Sequence, residues 1–191
     1  MEMSEHAQIA VIGAGLMGHG IAQVFAVAGH RVTVYDANPS ALVTLRERIV
    51  KNLIDLGQDP RAVERVFPVK QLGECVAAAD VVFEAGPEDL EFKRKLFEQL
   101  QLLAPAHTLL ASNTSVIPIT NIMQGLRTGR RAMGTHWWNP PYLVPLVEVI
   151  KTPHTEPALA LQMFDLLATV GKTPAMVLSL IHISEPTRRY A

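Results

Sequence analysis

Apolar residues follow two alternating patterns along this chain. Short runs rich in β-branched residues, such as QIAVIG at 8–13, are followed by longer stretches in which apolar residues recur with helical spacing. This alternation predicts an α/β fold with a doubly wound, mostly parallel sheet that is covered by helices on both faces. The predicted strands cover 8–13, 31–36, 66–70, 80–84, 107–112, 130–135 and 144–150, with another beginning at Thr173, and the predicted helices cover about 15–28, 39–56, 89–103 and 156–170.

Composition supports a globular domain and narrows the choice of partners. Of 191 residues, 49% are hydrophobic and 18% charged, and the net charge of −1 gives no electrostatic basis for binding nucleic acid or an anionic membrane. The first residues lack the pattern of a signal peptide, and no apolar run reaches the roughly 18 residues of a membrane span. Cys75 is the only cysteine, which favours a cytoplasmic location, and we expect it to be a small buried residue.

The end of the chain differs from the rest. After the strand-like start at Thr173, the sequence SLIHISEPTRRYA follows neither a helical nor a strand period. Residues 178–188, LSLIHISEPTR, resemble the translation of a transposase adapter used in sequencing libraries. We therefore predict one domain over residues 1–177 and a non-native tail over 178–191, with a genuine short tail as the alternative.

A glycine-rich turn follows the first predicted strand. Gly13, Gly15 and Gly18 form a GxGxxG pattern, with Leu16 and Met17 before the last glycine, and an apolar helix is predicted to follow. In this setting the pattern is typical of a Rossmann dinucleotide site, where the glycines permit a tight turn, close approach of the pyrophosphate and close helix packing. The alternative is that the glycines are turn residues only. We predict that these five residues contact a dinucleotide.

Asp36 indicates which dinucleotide is bound. It ends the second predicted strand, where a carboxylate accepts hydrogen bonds from the ribose hydroxyls and repels a 2′-phosphate. NAD is therefore favoured over NADP. FAD uses the same fingerprint, but the chain is short and its fourth strand leads into a different set of polar residues. A helix cap is the alternative role for Asp36.

Four polar segments are predicted near the carboxyl ends of strands, where open α/β sheets bind ligands. They are FEAGPEDLEFK (83–93), ASNTS (111–115), THWWNP (135–140) and PLVEV (145–149). Together with the GAGLMGHGIAQ start, their order and spacing resemble the NAD-binding domain of the L-3-hydroxyacyl-CoA dehydrogenase family. The resemblance covers nearly all of residues 7–177. Its Asn-Pro-Pro-Tyr and Pro-Leu-Val-Glu details are most similar to the λ-crystallin, gulonate and carnitine dehydrogenase relatives.

The resemblance implies a role for each matching residue. His136 matches the catalytic base that removes the hydroxyl proton as hydride leaves carbon, and Glu148 matches its carboxylate partner. Such an acid orients an imidazole and stabilises its protonated form. Ser115 matches the hydroxyl that binds the reacting oxygen. The resemblance also implies cofactor contacts from Glu88, Lys93, Asn113 and Asn139.

Simpler structural roles exist for several of these residues. His136 could hydrogen-bond to a backbone carbonyl, and Glu148 could face solvent, because an unpaired charge in an apolar strand is expensive to bury. Ser115 and Asn113 could cap a short helix expected near 117–122.

Lys93 could lie on an exposed helix face, and Glu88 could be a first-turn acid. The two tryptophans beside His136, Trp137 and Trp138, are expected in the core, and the alternative is that one of them narrows the substrate entrance. The remaining histidines, expected at the surface or in loops, are His6, His19, His30, His107, His154 and His182.

The family pattern continues into a helical second domain that completes the acyl pocket and forms most of a homodimer contact, and this domain is absent from the chain. We therefore expect a homodimer for the full-length protein. The predicted function is NAD-dependent oxidation of a 3-hydroxyacyl-CoA, a small-molecule substrate, to the 3-oxo compound, with no metal. The alternatives are a non-CoA 3-hydroxy acid such as gulonate or carnitine, and an inactive NAD-binding or structural protein. The basic residues available for CoA phosphates are few and are expected on a solvated helix face: Arg46, Arg48, Lys51, Arg61 and Arg65.

Overall fold

The sheet of this protein has eight strands, seen in a computed structural model that describes residues 6–178. Its spatial order is β3-β2-β1-β4-β5-β6-β7-β8, and neighbouring strands are parallel except for the antiparallel pair β6 and β7. The strands are β1 (Gln8–Ile12), β2 (Arg31–Tyr35), β3 (Val66–Val69), β4 (Val81–Glu84), β5 (Leu109–Ser112), β6 (Ala132–Trp137), β7 (Leu146–Ile150) and β8 (Thr173–Val177). The predicted doubly wound, mostly parallel α/β fold is confirmed.

Seven α-helices connect the strands across the described residues. They are α1 (Leu16–Val27), α2 (Pro39–Val43), α3 (Leu45–Asp55), α4 (Leu72–Val76), α5 (Leu90–Leu103), α6 (Ile119–Ile122) and α7 (Pro157–Thr169), and two 3-10 turns lie at Pro60–Arg65 and Gly129–Arg131. No helix between residues 6 and 178 combines the length and the apolar composition that crossing a bilayer requires.

Helices form two apolar layers, one on each face of the sheet. Alternate residues of β1 divide between them: Ile9 and Val11 join the cluster that contains α1, α3 and α7, whereas Ala10 and Ile12 join the cluster with α4, α5 and α6. Strands covered on both faces have no polar side, which explains their nearly continuous apolar sequences. Cys75 is buried in the second cluster, as expected, and burial raises the pKa of its thiol to about 11.

The predicted single helix over 39–56 is wrong, because the structure divides it into α2 and α3 at Thr44. Arg48 spans the break: its Nη2 donates to the carbonyl of Ala41 at 2.9 Å and to that of Ala14 at 2.7 Å. The Arg48 side chain therefore hydrogen-bonds to a carbonyl in the last turn of α2 and connects that turn to the glycine turn. The domain boundary at residue 177 stays a prediction, and of the predicted tail only Leu178 falls within the described residues.

Parallel strands bring the predicted polar segments to one edge of the sheet. The carboxyl ends of β1, β4, β5 and β6 lie there, so the glycine turn and the segments that begin at Ala85, Asn113 and Trp138 are neighbours. The antiparallel β7 runs back beside β6 and pairs Glu148 with His136. The sheet thus places every predicted chemical group at the same edge, which is where open α/β sheets bind ligands.

Two leucines of α5, one buried and one exposed, allow a test of which face of this helix packs against the core. Leu100 is fully buried, whereas Leu102 is 81% exposed, so removing the same methyl groups should have different consequences. We expect Leu100→Ala to lower the free energy of unfolding by about 2–5 kcal/mol and Leu102→Ala to change it by about 0.5 kcal/mol or less. Urea denaturation followed by circular dichroism measures both. Equal losses would contradict the packing of α5 described above.

Candidate active site

The glycine turn between β1 and α1 is closely packed at two of its three glycines. Gly13 has a φ of +98°, and a Cβ there would lie 2.5 Å from the carbonyl oxygen of Ala85. A Cβ on Gly18 would lie 1.7 Å from the carbonyl oxygen of Gly13. A Cβ on Gly15 would meet no atom within 4 Å. The fold therefore needs Gly13 and Gly18, whereas Gly15 leaves open space in front of the helix, where a phosphate group fits.

Asp36 lies at the rim of a cleft of about 630 Å³ beside this turn. Its carboxylate accepts hydrogen bonds from the amides of Ala14 and Asn38, both at 2.7 Å, and is therefore held in place. The residue that caps α2 is Asn38, so the helix-cap alternative for Asp36 is wrong. The cleft is lined by residues that include Gly13, Gly15, Tyr35, Asp36, Leu72, Ala85, Gly86, Pro87, Phe92 and Leu96.

His136 and Glu148 form a hydrogen-bonded pair at the same edge of the sheet. They lie opposite each other on β6 and β7, and His136 Nδ1 is 2.7 Å from Glu148 Oε2. The side chains are 16% and 17% exposed. Because Glu148 occupies Nδ1, the other ring nitrogen, Nε2, is the one that can face a substrate. A backbone partner for His136 and a solvent-facing Glu148 are therefore both wrong.

The tryptophans that follow His136 have different surroundings. Trp137 is 2% exposed and packs its ring against Phe25 and Phe83, as expected of a core residue. Trp138 is 46% exposed, and its ring centroid lies 5.1 Å from that of His136. The core position expected for Trp138 is therefore wrong, and its place beside the imidazole is compatible with the alternative that one tryptophan narrows the substrate entrance.

Asn113 joins the end of β5 to β6. Its side-chain oxygen accepts a hydrogen bond from the Trp137 amide at 2.9 Å, so it does not cap α6. Ser115 is exposed and does not cap α6 either, since Pro118 holds that position without a side-chain cap. Asn139 is also exposed, directly after Trp138. All three predicted polar residues therefore lie near the end of β5 or β6.

Glu88 holds the loop that carries Ser115. Its Oε1 accepts hydrogen bonds from Thr114 Oγ1 at 2.5 Å and from the amides of Ser115 and Val116, both at 3.0 Å. Burial by itself would raise the pKa of Glu88, but these three hydrogen bonds and the charge of Lys93 together hold it below its ordinary value. Glu88 therefore fixes the backbone on which Ser115 stands.

Lys93 is buried, which makes the exposed-face alternative wrong. It is 1% exposed, and its Nζ lies 2.7 and 2.9 Å from the two carboxylate oxygens of Glu84 and 3.7 Å from Glu88 Oε2. Glu88 and Lys93 thus lie together, as the resemblance implies, but Glu84 was not predicted. One signal was available: Glu84 ends an apolar strand, where a buried carboxylate needs a partner.

Two histidines are buried. His19 lies in α1 and contradicts the expected surface or loop position, whereas His30 lies in the loop between α1 and β2 and agrees with it. His19 is 6% and His30 is 5% exposed, and burial lowers the pKa of both imidazoles. His19 Nδ1 lies 2.8 Å from the Gly15 carbonyl, and its Nε2 lies 3.2 Å from Asn52. Exposure is confirmed for His6, His107 and His154, while His182 lies outside the described residues. Between residues 6 and 178, no group of three or more His, Cys, Asp or Glu side chains is placed to hold a metal ion.

Comparison with known proteins identifies the family. The model of the 3-hydroxyacyl-CoA dehydrogenase NAD binding domain matches residues 8–179. The chain belongs to this family, and its cofactor is NAD.

Similar proteins include 3-hydroxyadipyl-CoA dehydrogenase of Escherichia coli, 38% identical over 174 residues that make up 87% of this chain and 36% of that protein. A bovine λ-crystallin homolog is 36% identical over 180 residues, 89% of this chain and 56% of the homolog. The crystal structure of E. coli 3-hydroxybutyryl-CoA dehydrogenase superposes with a TM-score of 0.84 at 35% identity, over 91% of this chain and 38% of that one. The chain therefore spans between about a third and just over half the length of these relatives.

Substitutions at two glycines separate cofactor binding from folding. Gly15 has φ −70° and ψ −159°, which alanine adopts readily, and its Cβ would enter open space. We expect Gly15→Ala to keep the urea midpoint of the parent but to weaken NADH binding at least about tenfold, because the methyl group occupies the space of the pyrophosphate. Gly18→Ala should lower the urea midpoint. NADH fluorescence titration and urea denaturation measure the two effects, and parent-like NADH affinity in Gly15→Ala would contradict the site.

Proposed function

We propose that this domain belongs to an enzyme that oxidises a 3-hydroxyacyl-CoA, or a related 3-hydroxy acid, to the 3-oxo compound. The observation that carries the proposal is the His136–Glu148 hydrogen bond of 2.7 Å, at the sheet edge that also carries the glycine turn. A base and a dinucleotide site at one edge are what oxidation of an alcohol by hydride transfer requires.

The proposed reaction uses His136 as a general base. NAD, when bound through the glycine turn and Asp36, supplies the hydride acceptor. His136 Nε2 takes the proton of the substrate hydroxyl as hydride leaves the carbon atom that carries this hydroxyl. Glu148 keeps the proton of neutral His136 on Nδ1, and its negative charge stabilises the imidazolium that forms. In the reverse direction His136 returns the proton to the 3-oxo oxygen.

The neighbouring polar residues support this assignment. Ser115 is exposed on a loop whose backbone Glu88 holds, so its hydroxyl is available to donate to the reacting oxygen. Asn113 is fixed against the amide of Trp137, one residue from the base. We assign the nicotinamide end of the cofactor to the surroundings of Asn113 and Asn139, with Leu16 and Met17 beside the pyrophosphate. Glu88 and Lys93 lie 3.7 Å apart at this end, and because Lys93 is 1% and Glu88 37% exposed, Glu88 is the member of the pair that can contact the cofactor.

A CoA-free 3-hydroxy acid is the second candidate, and one observation favours it. The basic residues after β2 already have partners in the protein: Arg46 donates to the carbonyl of Val63, Arg48 to that of Ala14, and Arg61 to Asp59. These contacts leave few free cations for the phosphates of CoA. A panel of 3-hydroxy acids, each offered as the free acid and as the CoA thioester, distinguishes the two candidates. The intact His136–Glu148 pair speaks against an inactive structural protein.

Apolar side chains surround the proposed site. Leu16, Val116, Trp138 and Leu143 are all exposed at this edge of the domain. Exposed apolar groups around a polar site are typical of a surface that a second element covers. They support the proposal that a helical domain completes the substrate pocket in the full-length protein. The homodimer and the cytoplasmic location remain predictions from sequence.

Replacing the base tests the mechanism. In the full-length protein, we expect His136→Ala to lower kcat by about 10²–10⁴-fold, because the hydroxyl proton loses its acceptor. NADH affinity should stay nearly unchanged, since His136 contacts the alcohol rather than the phosphates. Stopped-flow NADH formation and NADH titration provide the two readouts. His154→Ala, at an exposed histidine, is the matched control, and unaltered turnover of His136→Ala would refute the assigned role.

A further inference from the structure

We propose that Glu84 is a positioning residue that fixes the two loops between which the reaction takes place. This inference rests on the proposed function for its effect on turnover, but the contacts that carry it are independent of any substrate. Glu84 is the last residue of β4 and is 0% exposed. A carboxylate this deeply buried is costly unless all its oxygens are satisfied.

Four hydrogen bonds converge on the Glu84 carboxylate. Oε1 accepts from Lys93 Nζ and from the Gly86 amide, both at 2.7 Å. Oε2 accepts from Lys93 Nζ at 2.9 Å and from Ser112 Oγ at 2.5 Å. These partners belong to three different elements: the segment after β4, the first turns of α5 and the end of β5.

Two of these partners, Gly86 and Ser112, belong to segments that border the proposed active site. Gly86 lines the cofactor cleft beside the glycine turn. Ser112 is the last residue before the loop that carries Asn113 and Ser115, and the Asn113 amide donates to the Glu84 carbonyl at 2.8 Å. Glu84 therefore connects the segment that lines the cofactor cleft to the start of the loop that carries Ser115.

Lys93 extends this connection to the far end of the same loop. Its Nζ lies between Glu84 and the Oε2 of Glu88, 3.7 Å away. Glu88 in turn accepts from the amides of Ser115 and Val116. The series Glu84, Lys93 and Glu88 thus holds the loop at both ends, and its first two members are too deeply buried to contact a substrate themselves.

A purely structural ion pair is the competing explanation, and the two make different predictions. Replacing both members of a buried pair by apolar residues of similar size is often neutral for stability, whereas removing one member leaves an unpaired buried charge. A structural pair would therefore be replaced without loss of function. A positioning pair would not, because leucine and methionine cannot bind the Gly86 amide, the Ser112 hydroxyl or Glu88.

The test is the double variant Glu84→Leu/Lys93→Met, with Glu156→Leu/Arg130→Met as its matched control. The control residues also form an ion pair, but they are 37% and 72% exposed, and neither of them lines the cofactor cleft. Three quantities are measured: the urea midpoint, hydrogen exchange at the Ser115 and Val116 amides, and kcat with KM for NAD.

We expect the double variant to fold with a urea midpoint somewhat below that of the parent, because the Gly86 amide and the Ser112 hydroxyl lose their acceptor. Exchange at the two amides should become at least tenfold faster and kcat should fall at least tenfold, with a smaller change in KM for NAD. The control should change none of these. Parent-like exchange and kcat in a folded double variant would overturn the proposal.

Two further comparisons keep the test decisive. If the double variant does not fold, the isosteric Glu84→Gln takes its place with the same readouts, and parent-like amide exchange there overturns the proposal. If the parent oxidises no 3-hydroxy substrate, the proposed function fails, but amide exchange still decides whether Glu84 positions the loop.

Discussion

The in-register pairing of β6 with the antiparallel β7 is the constraint on which the site depends. It sets His136 opposite Glu148 with 2.7 Å between Nδ1 and Oε2. Because side chains alternate between the faces of a strand, a slip of one residue would turn the acid to the opposite face of the sheet. The flanking residues resist such a slip, since Val147 and Val149 are both buried in the core on the other face. Apolar packing thus fixes the geometry of a polar pair.

Charged side chains at this edge, from the buried Glu84 and Lys93 to the half-buried Asp36 and the more exposed Glu88, all have partners in the protein, and these contacts fix their positions. Glu84 and Lys93 neutralise each other below the loop that carries Ser115. Glu88 fixes the loop itself, and Asp36 is fixed by two amides at the rim of the cofactor cleft. Desolvation makes isolated charges expensive in such places, so these groups are satisfied only in a narrow set of arrangements. The same interactions that avoid the cost of burial hold the predicted functional residues in place.

Sequence reasoning succeeded where a pattern is local. The apolar strands follow from the alternation of strand-like and helical patterns along the chain. The glycine turn follows from the GxGxxG pattern, in which close backbone packing requires Gly13 and Gly18. The order of the polar segments identified the family, and the structure brings His136 and Glu148 together as that resemblance implies. Both residues can be recognised from their neighbours in the sequence, without the pairing of the strands.

Features that depend on three-dimensional packing were missed. The position of Lys93 in the helical pattern does not distinguish it from an exposed lysine. Its side chain points inward because Glu84, at the end of β4, is its partner. His19 was expected at the surface, but α1 is covered on most sides and its ring bonds to Gly15 and Asn52. At the break at Thr44, Arg48 of the following helix donates back to the Ala41 carbonyl of α2, a contact that helical spacing alone does not predict. In each case the deciding partner is distant in sequence or lies on another element.

The most direct test of this account is a crystal structure of the full-length protein with NADH and a 3-oxoacyl ligand. The account predicts the adenosine ribose at Asp36, the pyrophosphate at Gly15, and the 3-oxo oxygen within hydrogen-bond distance of His136 Nε2. A cofactor bound elsewhere, or a nicotinamide ring turned away from the His136–Glu148 pair, would contradict it.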